Sequence, residues 1–225
     1  MKMFRILLCG LSLLAAVSCG NDAVKADSCC EKKADKAKGE CAVKEVKSDD
    51  CKEKSNAVVD NMMSRRSIRK YKDQAVDREL LKQIMLCGMN APNGQNKQSW
   101  EVRVVDNKAL QDEIKALEGG ERIAKCFYNA PVWVFIARDN GYDFSTIDCG
   151  LLSENIMLAA HSMGVGSVCL GSPVRFVFDS PDKENILGKL GFSEGYELCI
   201  CIALGYPDET PAAKPRDIKK VRFVE

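Results

Sequence analysis

A short basic stretch, Met63–Tyr71, holds the residues whose types and spacing could do chemistry. It contains three arginines, one lysine and two serines in nine residues. Arginine side chains bind phosphate oxygens through parallel N–H groups, and serine hydroxyls and free backbone N–H groups complete such a site. The stretch therefore predicts an anion site, formed by Arg65, Arg66, Ser67 and Arg69. The alternative for the same residues is a basic turn that faces solvent.

A second pair of cations, Lys214 and Arg216, lies far along the chain. If folding brings this pair to the basic stretch, the two groups together would hold a dianionic phosphate. Between them in sequence, residues 92–100 read PNGQNKQSW, and their amides offer donors and acceptors to a heteroaromatic ring or a sugar-like chain. A phosphate site combined with an amide loop predicts an elongated ligand with a phosphate end and a polar ring end.

Composition excludes several other classes of function. The chain has 225 residues and a formal net charge of +1, which argues against bulk nucleic-acid binding. Its single histidine, His161, rules out a metal centre with several histidine ligands. Any Ser-His-Asp or Cys-His enzyme would depend on His161 alone. That residue lies near the end of a predicted helix, where a surface or capping histidine is the usual case.

Residues 1–19 have the pattern of an export signal. Lys2 and Arg5 supply the basic start, and the apolar run that follows is too short for a permanent membrane span. The segment ends in AVSC, which resembles the lipobox of bacterial lipoproteins and would place a lipid on Cys19. We therefore expect a chain anchored by lipid in the cell envelope, on the periplasmic side or the outer surface. The alternative is an ordinary cleaved signal.

Residues 20–56 are predicted to be a flexible linker. They contain nine lysines, nine acidic residues and no aromatic residue, so they cannot bury enough apolar surface to offset chain entropy. The linker contains four of the chain's 12 cysteines, which are Cys29, Cys30, Cys41 and Cys51. Because there is no CxxC pair and no nearby histidine, zinc-site spacing is absent. We therefore favour free thiols or disulfides in a flexible linker over a linker that binds a metal or takes part in redox chemistry.

The folded domain is predicted to cover residues 57–225, with helices and strands in mixed order. Helical periodicity and capping signals, Ser55 or Asn56 for the first helix and Asp77 for the second, predict helices. Apolar runs with strand-like composition predict the strands. The predicted helices are 57–63, 78–89, 108–117, 144–163 and 181–190, and the predicted strands are 100–105, 131–137, 166–171 and 197–204. The apolar ending 221–224 could add an edge strand, to this chain or to a partner subunit.

Two features that could suggest other chemistry are interpreted as structural. Cys199 and Cys201 lie two residues apart in a predicted strand, so we expect both on one face, as small core residues and not as a redox pair. Gly164 and Gly166 are not a dinucleotide-binding fingerprint. That fingerprint follows a strand and opens a helix, whereas these glycines follow a helix and open a strand.

Five segments, taken in order, resemble the motifs of the nitroreductase family of FMN-dependent oxidoreductases. They are RRSIRKY at 65–71, APNGQNKQSW at 91–100, DCG at 148–150 with ENIMLAA at 154–160, GVGS at 164–167, and GYP at 205–207 followed by KPR at 214–216. Each is weak alone, but together they cover the whole folded region. By this resemblance the chain is identified as a member of the family. Ser99 stands where the family usually has proline, so the resemblance does not assign the substrate pocket.

The resemblance implies an α+β fold, in which helices flank a central sheet dominated by antiparallel strands. It also implies an intertwined homodimer with two FMN sites at the interface and C-terminal extensions that embrace the partner. The phosphate and ribityl end of FMN is assigned by resemblance to Arg65, Arg66, Ser67 and Arg69, closed by Lys214 and Arg216. Asn96 and Gln98 of the other subunit would approach the flavin ring or the ribityl chain. Leu170 and Gly171 would lie beside the ring, with their backbone N–H groups near the flavin N5.

In this family the flavin does the chemistry, so the resemblance assigns no catalytic side chain. It implies that NAD(P)H gives a hydride to N5 and leaves, after which a nitroaromatic, quinone or similar small acceptor takes electrons in a ping-pong scheme. The export signal conflicts with this, because nicotinamide cofactors are cytosolic. Three alternatives remain open: another donor such as a membrane quinol, a chain that stays inside the cell, or a non-catalytic flavin-binding lipoprotein of the cell envelope.

Overall fold

The structure, a computed structural model, describes residues 56–225. The predicted signal segment, the lipidation site Cys19 and the linker cysteines Cys29, Cys30, Cys41 and Cys51 lie outside the described residues. Residues 56–225 form seven α-helices and four β-strands. The helices are α1 (Ala57–Ser64), α2 (Arg78–Met89), α3 (Lys108–Ala116), α4 (Gly120–Cys126), α5 (Ser145–Ser162), α6 (Ser172–Phe178) and α7 (Lys183–Leu190). The strands are β1 (Trp100–Val105), β2 (Val132–Asp139), β3 (Gly166–Leu170) and β4 (Tyr196–Gly205).

The four strands make one sheet in the order β1-β2-β4-β3, and every neighbouring pair is antiparallel. The two central strands are the apolar runs of the sequence, because a strand covered on both faces must be apolar at consecutive positions. Phe135, Ile136 and Ala137 of β2 are fully buried, as are Cys201, Ile202 and Leu204 of β4. The predicted α+β fold with an antiparallel sheet is confirmed.

Helices cover both faces of the sheet. On one face, α2 and α5 bury Ile84, Leu152 and Ile156 against the strands. On the other face, α3, α4, α6 and α7 bury a second apolar cluster, which includes Ile114, Ile123, Val177 and Ile186. α5 is apolar on most of its circumference because it lies between α2 and the sheet, and it provides the central support of the first face.

Capping side chains set the start of the first two helices, as the sequence indicates. The Asn56 side chain accepts hydrogen bonds from the backbone N–H groups of Val58 at 3.0 Å and Val59 at 3.3 Å. Asp77 accepts in the same way at the start of α2. The predictions for α1, α2, α3 and α5 are therefore confirmed to within one residue at each end.

Two short helices, α4 and α6, are absent from the sequence prediction. A pair such as Gly119-Gly120 is typical of a break between elements, but α4 begins there. A Cβ on Gly120 would lie 1.8 Å from the carbonyl oxygen of Ile114, so close packing against α3 requires glycine at this position. α7 begins at Lys183, two residues after the predicted start.

A β-bulge in β4 contradicts the prediction that Cys199 and Cys201 share a face. Ile136 pairs with Ile200 and Ala137 pairs with Leu198, which leaves Cys199 as the extra residue. A bulge reverses the alternation of side chains on the strand that contains it. Cys199 therefore packs on the α5 side of the sheet, whereas Cys201 is buried on the opposite side.

The C-terminal segment after β4 runs along the surface. Within the described chain, residues 221–225 form no strand, and the Phe223 and Val224 side chains are each 95% exposed. The prediction that this ending adds an edge strand is therefore wrong for a single chain, and it stays a prediction for a partner subunit. No helix within residues 56–225 is long and apolar enough to cross a bilayer.

Candidate functional site

The basic stretch lies between the edge of the sheet and the segment that follows β4. Ser67 forms a bridge with Ser167 of β3, and the backbone N–H of Ile68 donates to the Ser167 carbonyl oxygen at 2.9 Å. On its other side, Tyr71 forms a bridge with Pro207, just after β4. These backbone contacts fix the position from which the arginine side chains project.

The same contacts bring the C-terminal cations to the basic stretch. A cavity of about 290 Å³ lies between α1, the basic stretch and the tail. We call it the cationic cavity; six of the ten predicted ligand-binding residues line it, namely Arg65, Arg66, Ser67, Arg69, Lys214 and Arg216. Its lining contains five cations and no carboxylate, so it attracts an anion. The expected convergence of the two cationic clusters is therefore observed.

Arg65 is the clearest indication of a ligand in this cavity. Its Nη1 is buried and has no hydrogen-bond partner in the described structure. Its closest carboxylate is on Glu154, with Nε 3.9 Å from Oε1, and the Glu154 side chain is half exposed. A buried guanidinium nitrogen without a partner is costly, and a phosphate oxygen is the acceptor that fits it best. The residues present therefore fit a phosphate group.

Arg66 and Arg69 are more committed to the protein itself. Arg66 Nη1 donates to the carbonyl oxygens of Met63 at 2.7 Å and Arg65 at 2.8 Å, so it satisfies acceptors at the end of α1. The Arg69 guanidinium carbon lies 6.0 Å from the centre of the Tyr128 ring. These contacts hold both side chains at the rim of the cavity and leave their other N–H groups for a ligand.

The prediction that free backbone N–H groups complete the anion site is wrong at Arg69 and Lys70, because Glu209 occupies them. Its carboxylate accepts hydrogen bonds from the backbone N–H groups of Arg69 and Lys70, the latter at 3.1 Å. Those two N–H groups are therefore not free to bind a ligand. The cavity therefore offers an anion its side chains and not these two N–H groups, and Glu209 instead fixes the turn and the start of the tail.

His161 contacts the site from α5. Its Nε2 lies 2.9 Å from the Ser64 Oγ, at the end of α1. Burial and the neighbouring cations Arg65 and Arg66 lower the pKa of His161, so the imidazole is neutral at neutral pH. It borders a second cavity of about 250 Å³, which Arg66 also lines. His161 supports α1 and thereby the residue that follows it, Arg65.

The amide loop adopts a conformation that depends on a buried carboxylate. Asn96 and Gln98 have φ values of 53° and 49°, in the left-handed region that non-glycine residues seldom occupy. Asp148 Oδ1 accepts from the Gly94 backbone N–H at 3.0 Å, and Oδ2 accepts from the Ser99 hydroxyl at 2.8 Å. The Asp148 side chain, which is only 2% exposed, therefore holds both ends of the loop.

The remaining predicted residues do not line the cationic cavity of this chain. Asn96 and Gln98 are exposed on the amide loop. Leu170 ends β3 with its side chain in the core, while Gly171 is exposed at the junction with α6. A Cβ on Gly171 would meet nothing within 4 Å, so open space lies above this peptide. One chain therefore assembles the phosphate end of the predicted site and leaves the amide loop apart from it.

Several residues that shape the site were missed by sequence reasoning. Glu209 and Glu154 contact the basic stretch from distant segments, and nothing local in the sequence links them to it. The buried hydroxyl of Ser167 has no partner, although its backbone fixes the turn. Asp148 lies inside the quoted motif DCG, and its carboxylate next to a helix start was the available signal. Among residues 56–225, no group of three or more His, Cys, Asp or Glu side chains could hold a metal ion.

Comparison with known proteins identifies the relatives of this fold and site. The sequence model described as the Nitroreductase family matches residues 62–123 and 118–206. A protein of Methanothermobacter thermautotrophicus, provisionally named NADH dehydrogenase/NAD(P)H nitroreductase, is 32% identical over 162 residues, which is 70% of this chain and 81% of the relative. The FMN reductase [NAD(P)H] of Bacillus subtilis is 27% identical, over 72% of this chain and 70% of its own length.

Solved structures agree with the sequence comparisons. A nitroreductase with bound FMN from Desulfitobacterium hafniense superposes with a TM-score of 0.68 and 31% identity, covering 76% of this chain and all of that one. A nitroreductase with bound FMN from Bacteroides fragilis gives a TM-score of 0.67 at 26% identity, over 76% of this chain and 100% of that chain. The described helices and sheet therefore have the fold of these proteins.

Proposed function

This chain belongs to the nitroreductase family, and we propose on that basis that it is an FMN-dependent oxidoreductase that takes electrons from NAD(P)H. The observation that carries the proposal is the cationic cavity, above all the buried and unpartnered Nη1 of Arg65. A phosphate monoester such as that of FMN supplies the charge and the acceptor oxygens that this nitrogen lacks. Bound FMN would supply the hydride-transfer chemistry, which the side chains that line the cavity do not provide.

The side chains of the cationic cavity would hold the phosphate end of FMN. Arg65 contributes a free N–H group, and Lys214 and Arg216 are exposed on the tail and can close over the ligand. The ring end would lie over the open surface at Gly171, next to Leu170. Asn96 and Gln98 would reach the ring or the ribityl chain from a second subunit, because in their own chain they lie outside the cavity.

A homodimer follows from the surface of the described chain. α1 exposes Val58, Val59 and Met62, and α5 exposes Ile147 and Leu151. Large apolar side chains that cluster on adjacent helices are typical of an interface with another chain. Two copies that meet through this face would also supply each site with the amide loop it lacks.

The acceptor is proposed to be a small, flat molecule such as a nitroaromatic or a quinone, reduced in a ping-pong scheme. Both substrates would use one open face of the bound cofactor, so the donor must leave before the acceptor binds. The described residues place no side chain that is an evident proton donor over Gly171, and the role of the chain is therefore to bind and orient. Substitution of residues around Gly171 should change the choice of acceptor more than the binding of FMN.

We further propose that the protein is anchored in the cell envelope through a lipid on Cys19, as the AVSC pattern indicates. Labelling of growing cells with a fatty-acid analogue tests this anchor. The label should attach to the wild-type chain and disappear in the Cys19→Ser variant. A labelled Cys19→Ser chain, or an unlabelled wild-type chain in the soluble fraction, would contradict the anchor.

An envelope location supports a second candidate function, a flavin-binding lipoprotein without turnover, because NAD(P)H is cytosolic. Anaerobic mixing of the FMN-loaded protein with NADH, NADPH or a quinol separates the two functions. The oxidoreductase predicts bleaching of the bound flavin by at least one of these donors, followed by recovery of colour with a quinone. Bound flavin that no donor bleaches would favour the second function.

A further inference from the structure

Two thiols, Cys149 and Cys199, meet where α5 packs on the sheet. Cys149 is fully buried on α5, and Cys199 is partly exposed in β4. The bulge turns Cys199 toward α5, so both side chains belong to the same apolar layer. Both are free thiols, and neither lines the cationic cavity. Flavin binding therefore gives no reason for their proximity.

The Cys149 thiol lies against the part of the sheet that holds Cys199. It donates to the carbonyl oxygen of Ala137 at 3.7 Å, and Ala137 pairs with Leu198, the residue before Cys199. Each thiol also shifts the pKa of the other, so the two sulfurs are close enough to interact electrostatically. A disulfide between them would require the sulfurs to approach to about 2.05 Å.

The environment makes the two thiols unequal in acidity. The neighbouring Cys149 thiol lowers the pKa of Cys199, and the Arg138 guanidinium acts in the same direction, against burial and Glu197. The neighbouring Cys199 and burial raise the pKa of Cys149 above its ordinary value. At neutral pH the partly exposed thiol is therefore the nucleophile, and the buried one keeps its proton.

We propose that Cys149 and Cys199 form a redox-active dithiol that reduces small-molecule disulfides, with Cys199 as the attacking and Cys149 as the resolving thiol. The Cys199 thiolate attacks one sulfur of a disulfide RSSR, forms a mixed disulfide and releases RS⁻. The Cys149 thiol then attacks the Cys199 sulfur, and its proton passes to the departing RS⁻, so that the second product leaves as RSH. Two electrons pass from the protein to RSSR, giving one protein disulfide and, after protonation, two RSH.

The surroundings of Cys199 indicate the class of disulfide. Cys199 is only partly exposed, so a small molecule reaches its sulfur more easily than a folded protein does. The Arg138 charge acts on Cys199, and the Arg138 side chain remains 33% exposed although its Nη2 is 2.8 Å from Glu197 Oε2. A partly exposed guanidinium near the thiol favours a disulfide that carries carboxylates, such as glutathione disulfide.

Peptide mapping of the full-length wild-type protein tests the proposal directly. The reduced protein is incubated with glutathione disulfide, the remaining thiols are blocked, and tryptic peptides are identified by mass spectrometry. Cys149 falls in peptide 139–175 together with Cys169, and Cys199 falls in peptide 190–216 together with Cys201. We expect these two peptides to become linked, with fragment ions that locate the bond at Cys149 and Cys199. Absence of the link, or a link through Cys169 or Cys201, would overturn the proposal.

Four single variants assign the role of each thiol. Cys169→Ser and Cys201→Ser are the matched controls and should keep the link. Cys149→Ser should lose the link and accumulate a glutathione adduct on Cys199, because the resolving thiol is missing. Cys199→Ser should lose both the link and the adduct. An adduct that forms on Cys149 first would overturn the assigned order, and the wild-type mapping stays decisive if a variant does not fold.

Discussion

At the scale of single residues, Arg65 is the clearest indication of a phosphate ligand. Its side chain is mostly buried, yet one of its terminal nitrogens has no partner and its ion pair with Glu154 is long. A protein keeps such a group where a ligand completes it, because an unmade hydrogen bond to a charged group is expensive. Local charge and spacing are enough to predict an anion site at Arg65. They could not predict that Glu209 occupies the neighbouring backbone N–H groups.

Replacing Arg65 with alanine should weaken FMN binding while the fold is kept. The lost charge-assisted contact is worth ~1.5–3 kcal/mol, which corresponds to a rise in Kd of about 10- to 150-fold. Fluorescence titration with FMN measures this change. Arg78→Ala is the matched control, because Arg78 is exposed on α2 and pairs with Asp106 outside the cavity. Equal affinities of wild type and Arg65→Ala would refute the assigned phosphate site.

His161 should make stability depend on pH in the ligand-free protein. Burial and the nearby arginines lower its pKa in the folded state, so the unfolded chain binds more protons between the folded pKa and about 6.5. The stability that the neutral imidazole contributes is therefore present above about pH 6.5 and is lost as the pH falls through the lower folded pKa. Thermal unfolding from pH 7.5 to 5.5 should show a smaller loss for His161→Gln than for wild type. Identical pH profiles would show that His161 does not titrate in this way.

At the scale of elements, local signals explain the helices that carry their own caps and period. Asn56 and Asp77 mark the starts of α1 and α2 in the sequence and in the structure. The sequence does not predict α4, because glycine usually breaks a helix. Glycine is instead required at position 120 because the Ile114 carbonyl oxygen approaches the backbone closely there. The bulge at Cys199 was missed because it arises from the pairing of β2 with β4, which no single segment encodes. Short helices and strand irregularities thus depend on tertiary contacts.

The amide loop is held in place by Asp148, a residue of α5. Asp148→Asn should lower the free energy of unfolding by about 1–3 kcal/mol, because a buried carboxylate that accepts two hydrogen bonds is replaced by an amide that can accept only through one oxygen. Urea denaturation measures the change. Asp143→Asn, an exposed aspartate near the start of α5, is the control and should remain within about 0.5 kcal/mol of wild type. An Asp148→Asn variant with an unchanged free energy of unfolding would mean that the loop keeps its shape without this carboxylate.

At the scale of the whole molecule, the described chain exposes large apolar side chains on two helices and on its C-terminal segment. The side chains of Phe223 and Val224 are almost fully exposed, and apolar side chains of α1 and α5 also face solvent. The family resemblance, and not the local pattern, led to the expectation of a dimer. The structure of one chain agrees with that expectation, because the amide loop does not line the cationic cavity of its own chain.

Removal of residues 221–225 should therefore weaken the dimer. Sedimentation velocity over a range of protein concentrations compares the truncated and full-length chains, and the truncated chain should dissociate at higher concentration. Arg222→Ala is the control for the charge in this segment and should change the dissociation far less than the loss of Phe223 and Val224. A truncated protein with an unchanged monomer–dimer equilibrium would show that the tail does not contact the partner.

The most direct test of the central claim is the visible absorption spectrum of the purified protein during titration with FMN, completed by anaerobic addition of NADPH. An FMN-dependent oxidoreductase should show flavin bands that saturate at about one FMN per chain and bleach when the donor is added. A colourless protein that does not bind FMN would mean that this fold has lost its cofactor, and the cationic cavity would then need another ligand. Saturated bands that persist with NADPH and with every other donor would contradict the oxidoreductase function while leaving the phosphate site intact.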